Sequence, residues 1–192
     1  MTGVQTCALP ISHNNLCFDL KPREIKTKLT LKEAVKKFIP KEIEEKVPRS
    51  FDIIGDIAIL EFNREELKVL SPYKKKIADV LLDVNPHLQT VVEKSGDVEG
   101  TFRTREFTHL SGKKEKTTLY KENKCRFYVN IDKVFFTPRL AYERKRLASL
   151  ETPYNKIGIF WDMFCGVGPY FIQIAKKNPD LEILATDINP NA

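Results

Sequence analysis

The apolar positions change period several times along the chain, and each change marks an element. Thr30-Leu31-Lys32-Glu33 has the capping-box pattern, and a helix through Val35 and Phe38 should follow it as far as Pro40. Pro40 can open a second short helix that ends before Pro48. Residues 50–62, SFDIIGDIAILEF, are two apolar strand segments around Gly55-Asp56, either a hairpin or one bulged strand. Asn63 can cap a helix through Leu67 and Leu70. It should break at Ser71-Pro72, because the residue before a proline avoids the helical region. The next helix is expected from about Pro72 to Asp83, with Ile77, Val80 and Leu81 on its buried face.

Beyond it the period shortens. Residues 88–93 read as a strand and 94–100 as a polar turn. Residues 101–107, TFRTREF, alternate as a strand with Phe102 and Arg103 on opposite faces. A charged loop at 113–116 leads into a hairpin, 117–120 with 126–131, turning at Glu122-Asn123. Residues 134–136 read as a further short strand. Residues 139–150 read as a basic helix with Leu140, Leu147 and Leu150 as core contacts. After that comes the densest apolar run, Ile157-Gly158-Ile159-Phe160-Trp161, ending in Asp162. A glycine loop, Cys165-Gly166-Val167-Gly168, leads to Pro169 and a helix over 170–177 with Phe171, Ile174 and Ala175 on one face. A second strand, 181–186, ends in Asp187. Strand, glycine loop, helix, strand and acid together form the opening unit of a nucleotide-type α/β fold.

The pattern divides the chain into an α+β module at 29–132, read as RNA-binding or linking, and an α/β unit at 133–192. Residues 13–28 are mixed and polar, a linker or remnant. Residues 1–12, MTGVQTCALPIS, fit nothing that follows, and Ala-Leu-Pro-Ile-Ser is what a common sequencing-adapter string encodes. They are set aside as a non-native scar, a frayed terminus being the plain alternative. Of 192 residues, 42% are hydrophobic, enough for a packed core. No apolar run approaches the ~20 residues that span a bilayer. Four cysteines (Cys7, Cys17, Cys125, Cys165) without a C-x-x-C pair, and three scattered histidines, indicate neither a disulfide framework nor a metal site. A reducing cytoplasm is the default compartment. Lys+Arg 32 against Asp+Glu 26 leaves +6, a balance compatible with a nucleic-acid partner. Nothing in the chain sets an oligomeric state.

The chemistry sits in the glycine loop. Glycines let backbone approach a ligand, and the following helix turns unsatisfied N–H groups towards the same space, which favours an anion. Asp187 can accept hydrogen bonds from two ribose hydroxyls. A dinucleotide fingerprint needs a third glycine three residues after Gly168, and Phe171 stands there, which argues against a nicotinamide cofactor and an oxidoreductase. Asp162-x-Phe164-x-Gly166-x-Gly168 instead resembles the first motif of class I methyltransferases, which bind S-adenosylmethionine through its ribose and methionine carboxylate. Basic residues accumulate ahead of this unit: Arg103, Arg105, Arg126, Arg139, Arg144, Lys145 and Arg146. They suit an RNA backbone, whose phosphates supply most of the affinity; a solvated helix face is the alternative. Glu143, four residues from Arg139, is either a helix ion-pair partner or a general base.

TFRTREFTHLSG at 101–112 and FFTPRLAYERKR at 135–146, followed by DMFCGVGPY and TDINPNA, resemble the archaeal-type tRNA (guanine-37-N1)-methyltransferases over roughly residues 50–192. The resemblance implies the start of a class I methyltransferase (Rossmann-like) sheet preceded by an α+β module. It implies methyl transfer from S-adenosylmethionine to N1 of the guanosine 3′ of the anticodon in tRNA. By motif, Arg103 would hold the guanine O6, Arg139 is the arginine of the Pro-Arg-Leu segment, Glu143 would take the N1 proton, and Arg144 would contact RNA; Arg105, from the basic set, is read as a further RNA contact. Asp162, Phe164, Gly166, Gly168 and Asp187 would form the cofactor site. Phe135 replaces a family tyrosine, so a hydroxyl contact is lost there. The later strands and the Asn-Leu-Pro loop that grips the base are not in these 192 residues, and the small N-terminal elbow-binding domain is missing or reduced to 13–28. The piece is therefore expected to be inactive alone, with an unpaired strand edge and an uncovered apolar face. Two rivals stand beside methylation: a wybutosine-pathway aminocarboxypropyl transferase, against which Arg139 weighs, or the methylation of a guanosine-derived tricycle. A non-catalytic RNA-binding module is a third.

Overall fold

Thr30 caps the first helix as its sequence predicts: its hydroxyl accepts from the Glu33 N–H and the Glu33 carboxylate accepts from the Thr30 N–H. The computed structural model describes residues 30–96, 104–150 and 158–192. Helix α1 (Leu31–Val35) is followed by a 3-10 turn, Lys41–Lys46, and by the hairpin β1 (Asp52–Ile54) and β2 (Ile57–Leu60). Asn63 caps α2 (Arg64–Leu70) with a second capping box. Ser71-Pro72 interrupts the helix as a 3-10 turn, and α3 (Lys74–Val84) resumes it. Strands β3 (Thr90–Lys94) and β4 (Phe107–Gly112) complete a four-stranded sheet in the order β1-β2-β3-β4, with the β2–β3 pair parallel and the other two antiparallel.

Both faces of this sheet are covered. Ala58, Leu60 and Val91 pack against Leu31, Val35, Leu70, Ile77 and Leu81 of the helical layer. Ile57, Ile59 and Val92 pack on the other side against the hairpin β5 (Thr117–Glu122) and β6 (Cys125–Asn130) through Phe127, Val129 and Ile131. Strand β2, buried along its whole length, therefore reads as an unbroken apolar run, whereas β6 alternates. Each fully buried aliphatic side chain contributes about 1.5–3 kcal/mol. Val167 and Ile172, beside the glycine loop, pack against the second cluster and seat the loop on it.

The remaining elements are α4 (Ala141–Ala148), β7 (Ile159–Asp162), α5 (Phe171–Lys177) and β8 (Glu182–Ala185). Strands β7 and β8 are parallel, with Asp162 beside Ala185. Ile159, Trp161 and Leu184 are at least half exposed, so one face of this pair is an uncovered apolar surface, as expected. Among the described residues no helix is long and apolar enough to cross a membrane.

Several expectations need correction. Of the strand read at 101–107, residues 101–103 lie outside the described part; the described strand runs from Phe107 to Gly112, where the backbone pairs with β3 from Lys94↔Phe107 to Thr90↔Gly112. Alternation is a local signal, and the pairing partner decided the register. Residues 134–136 are not a strand. The Val134 N–H closes a turn onto the Asn130 carbonyl, and Val134 and Phe136 are apolar because they fill the second cluster. Helix α4 starts only at Ala141, after a 3-10 turn, Pro138–Leu140, capped by Thr137. Leu140, expected in the core, is exposed. Helix α5 starts at Phe171, one residue inside the 170–177 span read from the sequence.

Candidate functional site

Parallel pairing of β7 and β8 brings Asp162 and Asp187 to the same end of the strands. The Gly166 N–H donates to Asp187 Oδ2 at 2.7 Å and the Asn189 N–H to Oδ1 at 2.8 Å. The Cys165 N–H reaches the Thr186 carbonyl at 3.0 Å, and the Gly168 N–H the Cys165 carbonyl at 2.9 Å. The loop is thus folded back onto the end of β8. Gly166 and Gly168 both have positive φ, +50° and +82°. A Cβ on Gly168 would lie 2.6 Å from Ile172 Cδ1 and 2.7 Å from Phe171 Cε1, while one on Gly166 would meet nothing within 4 Å. Gly168 is therefore needed to let α5 pack, and Gly166 faces open space.

Asp162 Oδ2 is buried and has no hydrogen-bond partner among the described residues. Burial, then the charge of Asp187, holds the Asp162 carboxyl above its ordinary value, despite the Phe164 N–H it accepts. Cys165 is pushed up by burial and by the same two carboxylates. Phe164 is 83% exposed beside the loop. An orphaned carboxylate oxygen, an exposed Asp187 and a glycine open to solvent suit a ligand with an ammonium group and ribose hydroxyls. Asp162, Gly166 and Asp187 could hold S-adenosylmethionine in that manner.

The basic residues divide. Arg105 and Arg139 line one cleft of about 230 Å³ with Lys94, Asp52, Phe107 and Phe135. Arg139 is exposed and forms a bidentate pair with Asp52, Nε to Oδ1 at 3.0 Å and Nη2 to Oδ2 at 2.9 Å, which raises its already high pKa. Glu143 does not pair with Arg139; its carboxylate takes both arms of Arg146, at 2.8 and 2.6 Å, and lies below the ordinary glutamate value because of that bond. The Asn189 side chain donates to the Lys133 carbonyl at 2.7 Å, tying the Asp187 turn to the segment that enters the cleft. Arg103 lies outside the described residues.

Arg144 is a correction. Expected at RNA, its side chain is 2% exposed, with Nε and Nη2 on Glu122 at 2.7 and 2.5 Å and Nη1 on the Thr137 carbonyl at 3.1 Å. Gln173 Nε2 donates to Glu122 Oε1 at 2.7 Å and to the Pro169 carbonyl at 3.0 Å, and the Tyr120 hydroxyl donates to Glu122 Oε2 at 3.1 Å. Burial works against the Glu122 carboxylate, but Arg144 and Gln173 hold it below its ordinary value. Arg144 thereby locks α4 to the hairpin and, through Gln173, to the glycine loop. Sequence reading missed Glu122 because it placed it in the turn. The turn is Asn123-Lys124, both at positive φ, and Glu122 is the last inward residue of β5. Asp52 and Gln173 carried no local signal.

A strand, glycine turn, helix and second parallel strand with an acid at the end of each strand define the opening of a class I methyltransferase sheet. A family model described as the TYW2 N-terminal domain matches residues 31–116, and one described as the TRM5/TYW2 methyltransferase domain matches residues 118–192. Between them the two models match most of the chain, which is similar to TRM5/TYW2 proteins from residue 31 to residue 192. It is 40% identical over 152 residues to tRNA (guanine(37)-N(1))-methyltransferase Trm5b of Pyrococcus abyssi, covering 79% of this chain and 43% of that protein. Among solved structures, that of aTrm5 with tRNALeu superposes with a TM-score of 0.72 at 34% identity, over 96% of this chain and 53% of the other. P. horikoshii TYW2 in complex with MeSAdo gives 0.64 at 27% identity, over 84% and 53%. The chain thus spans about half the length of the proteins it matches.

Proposed function

We propose that this chain is part of an enzyme that transfers a methyl group from S-adenosylmethionine to N1 of guanosine 37 in tRNA. The observation that carries the cofactor reading is the buried, partnerless Asp162 Oδ2 beside the open Gly166. A positively charged N–H donor satisfies that oxygen, and Asp187, already fixed by two backbone N–H groups, has lone pairs left for ribose hydroxyls. When bound, S-adenosylmethionine supplies an electrophilic methyl group.

The chain's own groups then act on the base. Guanine N1 carries a proton and is a poor nucleophile. Glu143 takes that proton once the RNA has drawn Arg146 away, because an ion-paired carboxylate is a weak base. Arg103 and Arg139 stabilise the negative charge that develops on the base as the proton leaves. Arg139 must exchange Asp52 for the substrate. Arg105, in the same cleft, holds the RNA backbone. The chain spans about half the length of the relatives it matches, so methyl transfer is proposed for a protein of their full length, and this chain alone is expected to bind cofactor without turning over.

The TYW2 match at residues 31–116 supports a second reading, transfer of an aminocarboxypropyl group from the same cofactor. One experiment tests both: incubate that protein with S-adenosylmethionine and a tRNA transcript carrying guanosine 37, digest the RNA, and weigh the nucleosides. N1-methylguanosine is expected. An aminocarboxypropyl adduct would favour the second reading, and no modification with a guanosine at 37 would overturn the first.

A further inference from the structure

The hairpin β5–β6 has two unlike faces. Inward, the cross-strand pairs Thr118↔Val129, Tyr120↔Phe127 and Glu122↔Cys125 cover the sheet and hold Arg144. Outward, the pairs are Thr117↔Asn130, Leu119↔Tyr128 and Lys121↔Arg126. None of these six outward residues is acidic; the nearest described carboxylates lie at the margin, Glu115 accepting from the Thr117 N–H at 3.1 Å and Asp56 sharing a cleft with Thr117, Leu119 and Lys121. Tyr128 is 75% exposed. Lys121 and Arg126 are exposed, directly opposite one another, and neither takes an acid among the described residues. Like charges in directly opposed positions oppose folding. Lys124 follows in the turn, and Lys176 of α5 adds another cation there by donating to the Lys124 carbonyl at 2.5 Å.

We propose that this outer face is a contact surface for RNA, with Lys121 and Arg126 on consecutive phosphates and Tyr128 stacked on an unpaired base. The inference rests on the RNA-substrate reading above and adds a surface to it that lies apart from the Arg105–Arg139 cleft. Charge complementarity selects the partner: outward strand residues that carry cations and one exposed aromatic ring, with acids only at the margin, fit a looped or single-stranded polyanion with π-faces. An acidic protein would satisfy the cations but give the ring no role. Rigid strands on a packed core present the three side chains in fixed register, so little ordering is needed when RNA arrives. The hairpin end is also bonded through Glu122 and Gln173 to the glycine loop, so RNA held here lies on a body continuous with the proposed cofactor site.

The test is anisotropy titration of the 192-residue chain with a labelled anticodon-arm RNA at several salt concentrations. Lys121→Ala with Arg126→Ala should weaken binding and reduce the salt slope by about 1.4–1.8, two phosphate contacts' worth. Tyr128→Ala should weaken it roughly 5- to 150-fold, the effect of losing one stacked base, while Tyr128→Phe keeps the affinity. The paired charge removal should leave the melting temperature unchanged or raise it, which separates lost contact from lost fold. S-adenosylmethionine binding, measured on the same samples, should be unaffected. RNA binding with unaltered affinity and salt slope in these variants would overturn the surface and leave the proposed function standing. Failure of the unsubstituted chain to bind RNA would overturn the surface alone, because the proposed activity is that of a protein of the relatives' full length and is read separately by the nucleoside assay above.

Discussion

Replacing Glu122 by glutamine keeps the shape of the side chain and removes its charge. Arg144 would then remain buried with two guanidinium N–H groups facing a neutral amide. Water cannot take over, because the two side chains are 5% and 2% exposed. Breaking a buried pair in this way costs about 3–5 kcal/mol. At roughly 2–4 °C per kcal/mol for a chain of this size, the melting temperature should fall by about 6–20 °C. The control is the double replacement Glu122→Leu with Arg144→Met, which removes both charges and should recover most of the loss. Circular dichroism melts of the three proteins measure it. The pH dependence supplies a second reading. The folded-state pKa of Glu122 lies below the ordinary 4.5, so the folded state binds fewer protons than the unfolded one. Its contribution is complete above about pH 4.5 and is lost as pH falls through the lower folded value. Glu122→Gln should flatten that acid limb. A drop below about 2 °C at neutral pH, or a double variant no better than Glu122→Gln, would refute the assignment of Arg144 as an internal lock.

Three further outcomes follow from the site. Asp162 has the opposite sign to Glu122: its raised pKa means that ionisation weakens the fold as pH rises above the ordinary 3.8. Asp162→Asn should therefore raise the melting temperature of the free chain at neutral pH while weakening S-adenosylmethionine binding at least tenfold by calorimetry. Gly168→Ala places a Cβ against Ile172 and Phe171 at positive φ, and should cost roughly 1–3 kcal/mol in a thermal melt. Asp52→Ala frees Arg139 from an exposed pair worth about 0–1 kcal/mol, so the melting temperature should barely move, while RNA affinity measured by anisotropy should rise.

Much of the architecture was legible because its signals are local. Capping boxes at Thr30 and Asn63, the break at Ser71-Pro72, the interruption at Gly55-Asp56 and the order strand, glycine loop, helix, strand, acid depend on residues within a turn of one another, though only pairing decided that Gly55-Asp56 turns a hairpin. The motif from Asp162 to Gly168, with Asp187 closing the next strand, is likewise a property of the sequence. Tertiary structure decided what no neighbour in sequence could. It paired residues 107–112 with β3, and sent Val134 and Phe136 into the second core cluster while leaving Phe135 between them exposed. It joined Arg139 to Asp52 across 87 residues, and sank Arg144 onto Glu122 while leaving its helix neighbour Lys145 in water. A guanidinium reads the same in sequence whether it meets phosphate or a buried carboxylate. Only the packing of the hairpin against α4 and α5 removes the water around one arginine and leaves it around the next.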